Sequence, residues 1–186
     1  MHRDGECVGY RPNRRAVVTA LASATLLPEA SLARTQATTA APAKAQDEHF
    51  MLMAIAEARR ADFPFGAVIV RNGRVLARGR NLGRQTGDPT AHGEMVAIRR
   101  CLATHGSASL KGSTLYTSGE PCAMCMGAIL WCHFGRLVYA ASVAQLATKI
   151  DQIMLSSQDV AAKATFAPID ITGGVLSDEA MALFAK

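Results

Sequence analysis

Long apolar runs are absent from this sequence, and so is a regular cysteine framework. None of its apolar runs reaches the ~20 residues that a membrane-spanning helix needs. Cysteine occurs five times, an odd number with irregular spacing that does not match a disulfide scaffold. Aromatic residues make up only 5% of the chain, but hydrophobic residues make up 49% of its 186 residues. The composition therefore predicts a globular domain with a sizeable core and no membrane partner.

Lysine is also sparse, although the chain is basic, with a net charge of +5 and a sequence pI near 9.2. A basic protein can bind nucleic acid through a cluster of positive side chains. Here the arginines are scattered, and beyond residue 33 only Arg59–Arg60 and Arg99–Arg100 are adjacent. The pattern favours a solvated basic surface, so nucleic acid is not the partner we expect.

The amino terminus, residues 1–33, has the three parts of a secretory signal peptide. A basic stretch that ends in Arg14–Arg15 precedes an apolar run, and small residues follow at the cleavage positions. The arginine pair resembles a twin-arginine export signal, which predicts a periplasmic protein. The alternative is that translation begins at Met51 or Met53 and the protein is cytoplasmic.

The rest of the chain divides into a linker and a folded domain. Residues 34–46 are rich in alanine and threonine and predict a flexible linker, and residues 47–186 form the domain. Asn72-Gly73 predicts a hairpin turn between two β-rich runs. The predicted strands are 65–70, 75–80, 113–118, 136–140 and 169–172. The predicted helices are 47–61, 91–105, the segment from the cysteines to 135, 143–149, 158–163 and a last helix capped by Asp178.

This alternation of strands and helices predicts an α/β layered domain whose sheet begins with an antiparallel pair. Ligands of such sheets bind beyond the carboxyl ends of the strands. In this sequence the second and third strands lead directly to His92 and to Cys122.

A metal site is predicted from His92, Cys122 and Cys125. Zinc binds imidazole nitrogen and thiolate sulfur, and a catalytic zinc site uses three protein ligands and leaves one position open. Pro121 suits the first turn of a helix, which places both cysteines at a helix amino terminus. The positive end of the helix dipole there favours thiolates.

Glu94 follows His92 by two residues and is the candidate proton carrier. Zinc lowers the pKa of a bound water to about 7. A carboxylate beside that water could take its proton and deliver it to a ring nitrogen and then to a departing amine. This chemistry replaces an amino group by a carbonyl and releases ammonia.

Two other interpretations of the cysteines remain open at this point. A structural zinc site needs a fourth protein ligand, for which Cys101, Cys132, His105 and His133 are available, but none has short ligand spacing. That interpretation also leaves Glu94 without a role. A redox Cys-x-x-Cys pair would not require the upstream His-x-Glu.

Asn81 ends the second strand and begins a loop that leads to His92. Its amide can both donate to and accept from the edge of a base. An asparagine that caps a turn is an equally good interpretation of the residue itself.

Five motifs occur in a fixed order between residue 47 and the carboxyl terminus. They are Pro64–Val70, Asn81, Asp88–Glu94, Leu115–Ser118 and Glu120–Ile129. With these motifs the chain resembles the cytidine deaminase-like superfamily, whose signature joins His-x-Glu to Pro-Cys-x-x-Cys. Within it, the chain looks most like the small nucleobase and nucleoside deaminases, which include bacterial guanine deaminase and the tRNA adenosine deaminases.

The resemblance implies a three-layer α/β/α sandwich around a mixed five-stranded sheet and a homodimer with its active site near the interface. It implies Zn²⁺ held by the histidine and both cysteines, with Glu94 as the catalytic residue. It also implies substrate contacts by Asn81, Ala67 and Trp131, although a core tryptophan is the alternative for Trp131.

The chain departs from its relatives in the segment 141–168. This segment lacks the acidic and aromatic features with which guanine deaminases bind guanine, and Asp151 and Asp159 are the nearest substitutes. It also lacks the Asn-His segment of the tRNA adenosine deaminases. We therefore expect hydrolytic deamination of a small-molecule nucleobase or nucleoside, first guanine to xanthine. Cytosine or a related aminoheterocycle is the nearer alternative, tRNA adenosine the farther one, and a zinc-stabilised binding domain the non-enzymatic one.

Overall fold

The computed structural model describes residues 45–185, and the elements below belong to that part of the chain. Its helices are α1 (Ala45–Ala58), α2 (Gly83–Thr86), α3 (Gly93–His105), α4 (Ala123–Trp131), α5 (Val143–Leu146), α6 (Ser157–Lys163) and α7 (Ser177–Met181). Its strands are β1 (Gly66–Arg71), β2 (Arg74–Arg80), β3 (Thr114–Gly119), β4 (Arg136–Ala141) and β5 (Asp170–Thr172). No helix among these residues is both long and apolar enough to span a membrane.

The predictions for the amino terminus fall mostly outside the described residues. The signal peptide at 1–33 and the linker as far as residue 44 are not described and stay predictions. The linker was predicted to continue to residue 46, but α1 already begins at Ala45. Alanine and glutamine both favour helix, which explains why the helix extends into the end of the predicted linker.

The sheet is mixed, as predicted, with the strand order β2-β1-β3-β4-β5. β1 is antiparallel to β2 and to β3, whereas β3, β4 and β5 are mutually parallel. Parallel strands need helical crossovers, and α4 and α6 lie in the connections that follow β3 and β4. This order places the carboxyl ends of β3, β4 and β5 at one edge of the sheet.

Helices cover both faces of the sheet, which confirms the three-layer sandwich. Ala67 and Ile69 of β1 pack in one apolar cluster with residues of α3 and α4. Val68 and Val70 of the same strand pack in a second cluster with residues of α1 and α7. Alternate side chains of a strand point to opposite faces, so β1 contributes to both halves of the core.

The hairpin turn and a close contact near its end bring β2 against α3. Asn72 and Gly73 both have positive φ, at 51° and 73°, as the predicted two-residue turn requires. A Cβ at Gly79 would collide with the carbonyl oxygen of Gly93 and the amide of Ala97. The glycine therefore allows β2 to lie directly against the first turn of α3.

Several predicted boundaries differ from the structure. A one-turn helix, α2, lies in a stretch predicted to be a loop, and α4 ends at Trp131 instead of continuing to 135. The prediction that Asp178 caps the last helix was wrong. Leu176 occupies the cap position in a left-handed conformation with φ 56°, and Asp178 lies in the first turn, where its charge complements the helix dipole.

Candidate metal and active site

Two helix starts meet beyond the sheet and carry the predicted metal ligands. His92 is the cap residue of α3 and Cys122 is the cap residue of α4, and both have an extended backbone, with ψ of 158° and 166°. Neither side chain makes a capping hydrogen bond to its helix. Both side chains are therefore available to a shared ligand, as the sequence predicted.

The three side chains form a compact cluster of metal-binding atoms. The Nδ1 atom of His92 lies 3.7 Å from the Sγ atom of Cys122 and 3.6 Å from that of Cys125. All three ligand atoms lie within 4.8 Å of one another, and residues 45–185 contain no other such group of three. A tetrahedral zinc with ordinary bond lengths needs a nitrogen–sulfur separation of about 3.6 Å, so the donors fit the ion.

The residues available as a fourth protein ligand lie outside this cluster. Cys101, Cys132, His105 and His133 all belong to the described part of the chain, and none joins the three donors. The site therefore has the three-ligand composition of a catalytic zinc centre and not the four-ligand composition of a structural one.

The two cysteines differ in their preference for a proton. The thiol of Cys125 donates to Cys122, and this bond is the main cause that lowers the pKa of Cys122 to about 4. The same bond, together with burial, raises the pKa of Cys125. A hydrogen bond with Cys122 raises the pKa of His92. The pair thus favours one thiolate before any cation binds, and a bound cation would favour the second.

Glu94 lies in the first turn of α3, next to the donors. Glu94 is only 4% exposed, and this burial raises the pKa of its carboxyl group. The hydroxyl of Thr117, on β3, lies 3.3 Å from its Oε1 atom and can donate to it. The carboxyl group therefore has a fixed place inside the protein, although water would solvate it better.

A cavity of about 500 Å³ opens beside the metal-binding cluster. Its lining residues are Phe63, Phe65, Asn81, His92, Ile150, Asp151 and Gln152. The rings of Phe63 and Phe65 stack with their centroids 6.0 Å apart. A second cavity, of about 490 Å³, shares Phe63, Asn81 and His92 with the first and extends towards Arg84. The cleft therefore combines apolar ring surfaces with a few polar groups, as ligand sites do.

Asn81 lines both cavities and also shapes the loop that follows it. Its Oδ1 atom accepts a hydrogen bond from the backbone N–H of Gly83 at 3.0 Å. No residue between 45 and 185 accepts a hydrogen bond from its side-chain NH₂ group. The interpretation of Asn81 as a turn-capping residue thus accounts for its side-chain oxygen, while its side-chain nitrogen remains available to a ligand.

Two other predicted substrate contacts do not line the cleft. Ala67 is fully buried in the sheet, where its neighbours are Gly79 and Thr117. Trp131 is 73% exposed at the opposite end of α4 from Cys122, with its ring 4.6 Å from that of Phe166. The core interpretation of Trp131 was therefore wrong. Neither residue lines the two cavities, and contact of either with a substrate stays a prediction.

Sequence reasoning missed several residues of the cleft. Phe63, Ile150 and Gln152 line the cavity but were not singled out, whereas Asp151 was noted as a substitute acidic group. The aromatic residues on either side of Pro64 were the available signal for Phe63. Residues 150–152 belong to no helix or strand, so no periodicity pointed to them.

Comparison with known proteins gives a consistent result. A family model described as the cytidine and deoxycytidylate deaminase zinc-binding region matches residues 44–141. Guanine deaminase from Bacillus subtilis is 49% identical over 78 residues, which cover 42% of this chain and 50% of that protein. The tRNA-specific adenosine deaminase of Agrobacterium fabrum is 44% identical over 101 residues, which cover 52% of this chain and 66% of that protein.

The fold is similar to that of a solved tRNA:A34 deaminase from a study of A-to-I editing at the wobble position. The TM-score is 0.64 at 34% identity, and the match covers 73% of this chain and 98% of the other. This chain spans only about half of the Bacillus guanine deaminase and 66% of the Agrobacterium enzyme.

Proposed function

Because the chain belongs to the cytidine and deoxycytidylate deaminase family of zinc-binding domains, we propose that it removes the exocyclic amine of a nucleobase or nucleoside by hydrolysis, with guanine as the first candidate. One observation carries the proposal. His92 belongs to the cluster of three metal donors and also lines an aromatic cavity together with Asn81, and the buried carboxyl group of Glu94 lies next to the donors. A structural zinc site would require neither the carboxyl group nor the cavity.

The residues of the site would have different roles in the reaction. His92, Cys122 and Cys125 would hold Zn²⁺, which supplies a Lewis acid and lowers the pKa of water when it is bound. Glu94 takes one proton of the attacking water at its carboxyl oxygen and passes it to a ring nitrogen, and it then carries the second proton of that water to the departing amine. The hydroxyl of Thr117 contacts that carboxyl group at 3.3 Å and also lies 3.1 Å from the carbonyl oxygen of Gly119.

The polar groups of the cavity are suited to a base that offers both acceptors and donors. The free NH₂ group of Asn81 can donate to a ring acceptor, and Asp151 can accept from a ring N–H. Guanine presents acceptors at O6 and N7 and a donor at its 2-amino group. Phe63 and Phe65 offer apolar ring surfaces to such a base. These features support guanine as the first candidate.

Adenosine of tRNA is the second candidate, and two findings favour it. The match to the Agrobacterium tRNA deaminase is longer than the match to guanine deaminase, 101 residues against 78. The second cavity also extends the cleft towards the exposed side chain of Arg84. A nucleoside within a strand would need such additional space, and its binding would weaken steeply with salt.

A second copy of this chain is the partner that the outer face of α4 fits. No residue of this helix is charged, and Met124 and Trp131 are 37% and 73% exposed on its surface. Gly127 has no neighbouring atom within 4 Å of the place where a Cβ would stand, so a second helix could approach closely. An uncharged helix face with an exposed tryptophan is typical of a protein interface. These features support a homodimer.

The test of the activity is ammonia release by the zinc-loaded protein. The panel contains guanine, adenine, cytosine, their nucleosides, related aminoheterocycles and a tRNA anticodon stem-loop, with Glu94→Ala as the blank. We expect turnover of guanine that the blank lacks, while the variant keeps its zinc and its fold. Turnover of the stem-loop alone would select the second candidate. If the zinc-loaded protein released ammonia from no compound of the panel, a non-catalytic binding domain would be favoured.

A further inference from the structure

Glu120 stands immediately before Pro121–Cys122 and is buried, with 5% of its surface exposed. Its backbone N–H donates to the carbonyl oxygen of Ala141 at 2.7 Å, and this bond fixes the chain that leads to the cysteines. The carboxylate side chain is not part of the metal-binding cluster. The backbone and the side chain of this residue therefore serve different contacts.

The carboxylate binds the first residues of two helices. Its Oε2 atom accepts the backbone N–H of Val143, in α5, at 2.8 Å. Its Oε1 atom accepts the backbone N–H of Ser157, in α6, at 2.7 Å. A buried carboxylate that accepts two backbone N–H groups makes strong, charge-assisted hydrogen bonds.

The helix caps leave these two N–H groups to Glu120. Ser142 and Ser156 are the cap residues of α5 and α6, and each forms a complete capping box with the third residue of its helix. The boxes satisfy the N–H groups of the cap and of the third position. The N–H groups of the first position would remain unpaired without the carboxylate.

The chain between the two helices, residues 147–156, forms one side of the cleft. Ile150, Asp151 and Gln152 of this segment line the cavity together with Asn81 and His92. Residues 151–156 belong to no helix or strand. Their position therefore depends on the helices at the two ends of the segment, and both helices start at the carboxylate of Glu120.

We propose that Glu120 is a positioning residue that holds the 147–156 segment against the metal-binding cluster and thereby sets the affinity for the substrate without touching it. The proposal rests on the proposed function of the cleft. It separates two effects. The positions of the metal ligands depend on α3, on α4 and on the backbone hydrogen bond of Glu120. The position of the opposite side of the cavity depends on the side chain of Glu120.

The experiment compares Glu120→Gln with the matched control Ser157→Ala in the full-length, zinc-loaded protein. The glutamine keeps the size of the side chain but can accept only one of the two N–H groups well. The alanine keeps the backbone N–H of residue 157 and removes a buried hydroxyl group for which no hydrogen-bond partner is found between residues 45 and 185. Three quantities are measured: zinc per chain, KM and kcat for the best substrate of the panel, and amide hydrogen exchange of residues 147–157.

For Glu120→Gln we expect an unchanged zinc content, a KM that rises roughly tenfold or more, a kcat within about threefold, and faster exchange of 147–157. For Ser157→Ala we expect all three quantities unchanged. Ser156→Ala is the second variant, in case Glu120→Gln does not fold. It removes the cap of α6 and should raise KM by a few-fold, with faster exchange of the same segment.

The outcomes distinguish this proposal from the proposed function. Unchanged exchange of 147–157 in Glu120→Gln overturns the positioning role, whatever the activity. A loss of zinc with unchanged KM also overturns it, because the residue would then act on the cysteines. If the wild-type protein deaminates nothing in the panel but Glu120→Gln exchanges faster in 147–157, the proposed activity fails and the positioning role stands.

Discussion

The carboxylate of Asp47 and the guanidinium group of Arg136 form a two-point ion pair between α1 and the start of β4. Arg136 donates to the two carboxylate oxygens at 2.7 and 2.8 Å, across 89 residues of sequence. The hydroxyl of Tyr116 donates to Asp47 at 2.9 Å, and Arg136 also donates to Thr172 at 3.0 Å. Asp47 is 4% exposed, so the pair connects the first helix to three strands from inside the protein.

Asp47→Asn should destabilise the domain by about 2–4 kcal/mol, because it leaves the charge of Arg136 without its buried partner. Urea denaturation measures the free energy of unfolding. Glu48→Gln is the matched control, since Glu48 is exposed on the same helix, and it should change that free energy by less than about 0.5 kcal/mol. Equal losses in the two variants would show that the ion pair does not stabilise the fold.

Stability should fall at alkaline pH, and Tyr116 should account for part of the loss. Burial and the hydrogen bond to Asp47 raise the pKa of Tyr116 above the value of about 10 that it has in an unfolded chain. A raised folded-state pKa contributes stability that is fully present below about pH 10 and is lost as the pH rises towards the folded pKa. Unfolding curves between pH 8 and 11 should therefore be less pH-dependent in Tyr116→Phe than in the wild type. Parallel pH profiles would contradict this assignment.

Cys122→Ser should reduce bound zinc from one ion per chain to far below one after dialysis, because it removes one of the three protein ligands. Chelation of the wild type should abolish deamination, and added Zn²⁺ should restore it. Cys132→Ser is the matched control. It changes a half-buried cysteine beyond the other end of α4 and should keep one zinc, as measured by atomic emission. Equal zinc content in both variants would exclude Cys122 as a ligand.

Asn81→Asp separates the two roles of this side chain. Aspartate keeps an oxygen that can accept from Gly83, but it lacks the NH₂ group of the asparagine. We expect kcat/KM to fall about 10- to 100-fold while the melting temperature stays close to that of the wild type. A variant with wild-type kinetics would show that Asn81 only shapes the turn.

Trp131→Glu should convert the proposed homodimer into a monomer, because a charge would then stand in an apolar interface. Sedimentation velocity over a range of protein concentrations measures the assembly state. Leu52→Glu is the matched control, as Leu52 is 54% exposed on α1, away from this face. A wild-type protein that sediments as a monomer at every concentration would refute the homodimer.

The sequence predicted the metal cluster because the spacing of His-x-Glu and Pro-Cys-x-x-Cys indicates the ligands, and each ligand lies at or near a helix start that the sequence marks. Pro121 and the apolar spacing after His92 indicate where α4 and α3 begin, and residues at two converging helix starts are near one another. The alternation of strands and helices predicted the mixed sheet in the same way. Such local signals determine the elements and the residues at their ends.

The remaining features depend on contacts that are distant in sequence. The bonds of Glu120 to α5 and α6 span 23 and 37 residues, and no pattern around Glu120 indicates them. The exposure of Trp131 depends on what packs beside α4, since an apolar helix gives no periodic signal for its buried side. A very short element such as α2, with four residues, contains too little sequence for a periodicity.

The metal donors and the far side of the cleft are encoded one after the other in the chain. His92, Cys122 and Cys125 all precede β4, whereas residues 150–152 follow it. Protein synthesis runs from the amino terminus, so every metal donor leaves the ribosome before residues 150–152 do. The cleft is therefore complete only after all of the metal donors have been synthesised. The later segment can also be exchanged by recombination without a change in any residue that binds the ion.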